Sequence, residues 1–316
     1  MQRNPKIWLL AAMVLAAIAS AAARPLGIIP FYVGVAVDIG INVVLAVSLN
    51  LINGHTGQFS LGHAGFMAVG AYAAASVTLG LPAQVAGSTT SLAWFGFALF
   101  AGGLAAAVAG LAVGIPSLRL KGDYLAIVTL GFGEIIRVIL QTTDAVGAAS
   151  GLKGIPKLTT FGWTWGLAAV TVYVVACVVN STYGRGFLAV HDDEVAARAM
   201  GINTTRYKVT AFVIGAFFAG LAGGLYAHHK QFISPSGFDF NKSIEIVVMV
   251  ILGGMGRTAG VILAAIVLTL LPEVLRPLSD YRMMLYALLI ISLMITRPQG
   301  LFAWNRRPPG TTPKPA

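Results

Sequence analysis

Long apolar runs recur along the chain, and short clusters of charge, proline and glycine punctuate them. A bilayer core takes about 20 mainly apolar residues per helix. Cutting the sequence at the polar clusters therefore predicts ten spans, at 7–23, 31–50, 59–80, 92–116, 123–142, 163–181, 209–228, 243–252, 259–271 and 283–296. The eighth and ninth are short and are separated by Gly253, Gly254, Met255, Gly256 and Arg257. They read as broken or re-entrant helices, whose free backbone must be shielded by protein. Treating 243–271 as a re-entrant pair leaves eight spans and the same parity of the ends. The fold class is an all-α polytopic membrane protein. Residues 1–302 form a single transmembrane domain, and the basic, proline-rich stretch 303–316 reads as a disordered tail.

Within the seventh span Ala211, Gly215, Ala219, Gly223 and Ala227 put a small residue at every fourth position. Such a row lets two helix backbones approach closely, so it reads as a packing seam. Between the second and third spans, residues 53–66 contain four glycines together with His55 and His63. The two histidines are eight residues apart with no neighbouring carboxylate, which argues against a metal site. Hydrogen-bonded imidazoles at backbone bends are the simpler reading. The alternative is a polar path through the membrane, for which Asp38, Asn42, Ser60 and His63 are the candidate lining residues. Glu134 and Arg137 stand three apart in the fifth span, a spacing that allows an ion pair on one helix face.

Composition agrees with the pattern. The 316 residues are 57% hydrophobic and 10% charged, where a soluble domain carries roughly 25% charged residues. The net charge of +10 comes from Lys and Arg scattered among short loops, with no aromatic-interleaved basic domain, which excludes a nucleic-acid binder. Counting by alternate loops with a cytoplasmic N-terminus puts thirteen Lys and Arg inside and seven outside, with Arg137 left within a span. The positive-inside rule then places both termini in the cytoplasm. Residues 1–23 also resemble a secretory signal, with Arg3, Lys6 and an Ala19-Ser20-Ala21 cleavage pattern, but an uncleaved first helix serves a polytopic protein equally well. The single cysteine, Cys177, excludes an intramolecular disulfide framework and a CxxC motif.

The longest inside connection is 182–208. His191, Asp192, Asp193 and Glu194 supply an N-cap and an acidic first turn, Val195 to Met200 suit a helix of two to three turns, and Gly201 is a natural stop. Val195, Ala199 and Ile202 would share one apolar stripe, suited to a partner's groove. A polar linker with incidental helicity is the alternative. No Gly-Lys dipeptide occurs, so the chain holds no Walker A loop, and GxSxG and HExxH are missing too. The sequence offers no anchor for an enzyme.

Several stretches carry a family resemblance. They are Leu49–Gly54 running on through Ser60–Phe66, Gly122–Glu134, Gly151–Pro156, Gly184–Phe187 with Asp192–Gly201, Gly253–Gly256 and Arg297–Leu301. In that order they resemble the LivM-type permease subunits of bacterial branched-chain amino-acid ABC importers. Two departures stand out: Val190-His191 replaces the usual Ile-Arg, and 146–150 lacks the usual Gly-Gly-Ser-like run. The resemblance implies a type II ABC importer fold in the inner membrane. It implies four kinds of neighbour: a second, LivH-like permease, two cytoplasmic ATPases that hold ATP and magnesium, a periplasmic substrate-binding protein, and lipid. It assigns Asp192, Asp193, Glu194, Val195, Ala196, Arg198, Ala199 and Gly201 to the coupling helix that docks on the ATPases. No cofactor or metal is expected in this chain. The contrasting reading is a secondary transporter of small amino acids, coupled to ions through Asp38 or Glu134.

Overall fold

In the computed structural model the described residues are 30–80, 89–117 and 122–276, with 281, 284, 285, 287, 288, 291, 292 and 295 beyond them. The expected first span, the 303–316 tail and most of 283–296 lie outside that set. All regular structure among the described residues is helical, apart from one antiparallel bridge, Leu152 to Ile233. The main helices are α1 Pro30–Asn50, α2 His63–Leu79, α3 Thr89–Ser117, α4 Asp123–Thr142, α5 Phe161–Asn180, α6 Thr182–Asp192, α7 Glu194–Ala199, α8 Thr204–Lys230, α9 Phe240–Gly253 and α10 Thr258–Val274. Five stretches are long and apolar enough to cross a membrane: Phe31–His55, Leu92–Pro116, Tyr124–Thr142, Phe161–Asn180 and Thr204–Lys230.

Helix boundaries follow from short polar side chains at the ends. Thr160 accepts from Trp163 N to cap α5, Asn203 from Arg206 N to cap α8, and Asp239 from Lys242 N to cap α9. Helix α8 stops where Gln231 takes a left-handed conformation, φ 61°. The expected span 59–80 begins later than its apolar pattern suggests. After α1 a π-helical turn, Leu51–His55, ends the descent, the chain folds back through 56–62, and α2 starts only at His63.

Helix α8 is the hub, packed against α1, α2 and α3. The side chain of Ile52 and the carbonyl of Ser48 occupy the space a Cβ on Gly215 would need, at 2.6 and 3.1 Å. A Cβ on Gly223 would collide with Met67 O. Ala211, Ala219 and Ala227 on the same row are fully buried. The neighbouring face of α8 is equally small: Gly220 approaches Gly102 O and Gly70, and Ala216 fits against Gly110 of α3. Helices α5, α9 and α10 then pack on α1, and α4 on α2.

The connections gather at two ends. At one end Asn50 Oδ1 accepts from Gly256 N at 2.9 Å, and His191 lies against Gly57. At the other, Leu152 pairs with Ile233, Lys230 with Asp38, and the Arg276 guanidinium stacks 4.9 Å from the Phe31 ring centroid.

Candidate functional site

The 182–208 connection is a built platform of two helices. Ser181 caps α6 by accepting from Gly184 N at 3.2 Å. Gly184 and Gly186 are required by close approach, the first to Val179 O and the second to the face of Tyr207. Tyr183, Phe187 and Tyr207 stack with centroids 4.5 to 5.7 Å apart and fix α6 to the start of α8. Asp192 closes α6, Asp193 alone is the cap of α7, and α7 has six residues, less than the two to three turns expected. Asp193 accepts from Val195 N at 2.7 Å and Ala196 N at 3.1 Å. Gly201, φ 80°, closes the helix: its N–H reaches Arg198 O at 2.9 Å and Ile202 N reaches Ala197 O at 3.0 Å, the paired bonds of a Schellman stop.

The inward side of α7 is ionic. Glu194 Oε2 pairs with Lys208 Nζ of α8 at 2.8 Å, Oε1 pairs with Arg198, and Arg198 Nε donates to Thr204 Oγ1 at 3.0 Å. Burial alone would raise the Glu194 carboxyl, but the hydrogen bonds and charges of Lys208 and Arg198 hold it below its ordinary range. The outward side is open and mostly apolar: Val195 is 68% exposed, Met200 82%, and Ala199 is exposed with them, while the exposed Arg198 side chain borders this surface. Ala196 and Gly201 are exposed as well, while Ile202 is half-buried.

The platform meets the fold-back. A Cβ on Gly57, φ 68°, would lie 3.1 Å from His191 Cδ2. Beside this contact Thr56, Gly57, Gln58, Gly122, Leu125, Val190, Glu194 and Lys208 line a cleft of about 100 Å³. From there the fold-back runs inward. Asn53 Oδ1 accepts from Ser60 N at 3.2 Å, Leu61 N donates to Thr129 Oγ1 of α4 at 3.0 Å, and Ala64 N donates to Ser243 Oγ of α9 at 3.3 Å. Ser48 gives its one proton to Leu45 O, so His63 Nε2 must be the donor in its 2.9 Å contact with Ser48 Oγ. The fold-back therefore touches the platform at Gly57 and His191 and is hydrogen-bonded to α4 through Leu61, while Ala64 at the start of α2 is bonded to α9. It also concentrates buried polar atoms without a protein partner among the described residues: Asn50 Nδ2, His55 Nε2, Gln58 Nε2, Ser60 Oγ and His63 Nδ1.

The four candidate path residues fall into two separate groups. Ser60 and His63 are fully buried in the fold-back. Asp38 instead bonds Lys230 Nζ at 2.8 Å, with His229 Nε2 at 3.8 Å, and Asn42 donates to Thr269 Oγ1 at 2.9 Å and lies 3.5 Å from Lys242 Nζ. Lys242 in turn pairs with Glu245 at 2.9 Å. Lys230 and Lys208 are about 33 Å apart along α8 at its helical rise, so the Asp38 group sits at the end remote from the platform. Only the partners, 192 residues apart in sequence for Asp38 and Lys230, make this group visible; sequence spacing could not.

Glu134 and Arg137 do pair on α4, with Arg137 Nε 2.7 Å and Nη2 2.6 Å from Glu134 Oε2. Their side chains are 36% and 30% exposed. An i,i+3 pair returns only about 0.2–0.5 kcal/mol on an isolated helix, while each charge costs about 2.5–3.5 kcal/mol at a span's centre. The pair alone does not offset contact with lipid, so this face requires protein or water beside it. No group of three or more His, Cys, Asp or Glu able to hold a metal occurs among the described residues.

Comparison with known proteins adds the following. Residues 31–294 match the family described as "Branched-chain amino acid transport system / permease component". The "High-affinity branched-chain amino acid transport system permease protein LivM" of Salmonella typhimurium is 35% identical, covering 95% of this chain and 76% of that protein. The protein of the same name from Escherichia coli is 36% identical with the same coverage. The "Probable branched-chain amino acid transport permease protein LivM" of Methanocaldococcus jannaschii is 25% identical, covering 62% of this chain and 66% of that one. No solved structure matches.

Proposed function

The chain belongs to the branched-chain amino acid transport permease family, and from that premise we propose that it is the membrane-spanning subunit of an ATP-driven importer of branched-chain or related amino acids. It is a multi-pass membrane protein and a transport component. In this reading a second, LivH-like permease completes the path, a periplasmic binding protein delivers the substrate, and two ATPases holding ATP and magnesium dock on the 182–208 platform at the cytoplasmic face of the inner membrane. Residues 1–302 act as one permease domain of the type II importer kind.

The observation that carries the reading is the two-sided α7. An ion network joins its inner face to α8, and Val195, Ala199 and Met200 stand open on its outer face. A push on the open face is transmitted, because Glu194–Lys208 and the α6 aromatic stack tie the platform to α8, and His191 ties it to the fold-back. Two arrangements of these packed elements, biased by ATPase closure, would alternate access to the path. The secondary-transporter alternative needs a carboxylate free to exchange ions. Asp38 is held by Lys230 of this chain, which disfavours coupling through it.

Ten crossings are favoured over eight. The turn between α9 and α10 reaches Asn50 at one end of α1, and Arg276 beyond α10 reaches Phe31 at the other, so α10 runs the full depth of α1. The described Lys and Arg of the loops divide evenly between the two ends, so the orientation rests on the remaining basic residues, above all those of the two termini and Arg119 and Lys121.

The test is reconstitution of the chain with its co-encoded partners in proteoliposomes. Radiolabelled leucine should accumulate only with both ATP and loaded binding protein. Accumulation driven by a proton or sodium gradient without ATP would contradict the reading.

A further inference from the structure

Of the five long apolar helices, α4 is the least buried, 17% of its most apolar part against 22 to 83% for the others. Its outward face is a narrow apolar shelf. Ile127, Ile135 and Val138 are exposed on it, and at Gly131 a Cβ would meet nothing within 4 Å, which leaves a dent one turn before the Glu134–Arg137 pair. Both bonds of Arg137 converge on Glu134 Oε2, so Oε1 and Nη1 have no partner among the described residues. A half-buried pair with unused hydrogen-bonding capacity, set in an apolar shelf, is unsuited to lipid. It is matched to a small molecule that carries one carboxylate, one ammonium and an apolar side chain.

The opposite side of the same turns is fixed to the fold-back. Leu61 N donates to Thr129, and Gly65 backs onto Gly133 so closely that a Cβ would lie 2.9 Å from Gly133 Cα. Movement of the platform against Gly57 therefore has a route of packed groups to the turn that carries the pair.

We propose that Glu134 and Arg137 form a zwitterion-exchange site on the substrate path: Arg137 releases part of its bond to Glu134 to take the substrate carboxylate, and Glu134 takes the ammonium. The exposed Gly131 and the flanking Ile127, Ile135 and Val138 accept the apolar side chain. Charge is conserved throughout, since one ion pair opens into two. This assignment rests on the amino-acid importer reading.

The experiment uses the whole transporter in proteoliposomes with loaded binding protein and radiolabelled leucine. Arg137→Gln, Glu134→Gln and the double variant Glu134→Gln/Arg137→Gln are compared with wild type for uptake per ATP hydrolysed, and for co-purification of the partners by size exclusion. The double variant discriminates, because it leaves no orphan charge. For an exchange site it co-purifies with its partners yet stays at least tenfold below wild type in leucine carried per ATP. Return of the double variant to wild-type uptake, with only the single variants impaired, would show a structural pair and overturn the proposal. Loss of co-purification in the double variant would overturn it in favour of an assembly role. If wild type itself carries no leucine, the importer reading fails first, and the site loses the zwitterion assigned to it.

Discussion

Glu194 Oε2 and Lys208 Nζ meet at 2.8 Å across the junction between the short helix α7 and the long helix α8. This contact joins an exposed docking element to the helix on which the core is built. Lys208→Met removes one of the two cationic partners of the Glu194 carboxylate, and bonds to charged groups are worth roughly 1.5–3 kcal/mol. The expected result is faster amide exchange across 193–204 and weaker stimulation of ATP hydrolysis by loaded binding protein. The pH dependence follows from the lowered Glu194 carboxyl. Its stabilisation is complete above the ordinary glutamate value and is lost as pH falls through the lower folded value. Protection of α7 amides should thus be flat from neutrality down to about pH 5, by the usual glutamate range, and fail only in stronger acid.

Gly215→Leu and Gly223→Leu should each destabilise the protein by about 1–3 kcal/mol, the common range for overpacking. Ile52 and Ser48 fill the space beside the first, and Met67 O lies beside the second. Gly166→Leu on α5 is the control, because nothing lies within 4 Å of a Cβ there. Thermal unfolding in detergent measures all three. Equal midpoints would contradict the seam.

Which features were legible in the sequence depended on range. The α8 row, the Glu134–Arg137 pair and the Gly201 stop are readable because each is a spacing within one helix or at its end, where helix geometry fixes which residues share a face, although the helices that the α8 row packs on are distant in sequence. Helix α6 is not evident in the sequence, because its glycines Gly184 and Gly186 are accounted for only by close approach to Val179 O and to the Tyr207 ring. Residues 59–62 of the fold-back read as the start of the third span because Phe59 and Leu61 continue its apolar pattern; the Leu61 bond to Thr129 comes from a helix far away in sequence. Asp38 had no local partner to find, and its lysine is 192 residues distant.

Orientation is testable with an impermeant thiol reagent on intact cells, in a Cys177→Ser background. Thr182→Cys and Ser150→Cys occupy exposed positions at opposite ends of the helical bundle. Ser150→Cys should label from outside, and Thr182→Cys only after permeabilisation. Labelling of Thr182→Cys in intact cells would invert the topology.

The most direct test of the ATP-driven reading is a charge on the open face of α7. Val195 and Ala199 are exposed while Glu194 and Lys208 hold the helix from behind, so Ala199→Glu or Val195→Glu should insert and fold normally. In a packed groove an unpaired carboxylate costs several kcal/mol to desolvate. Either variant should therefore still co-purify with the second permease, lose the ATPases, and lose leucine uptake in proteoliposomes by at least a hundredfold. Wild-type uptake and full ATPase retention in both variants would contradict the coupling role of 182–208 and with it the account of how this permease is driven.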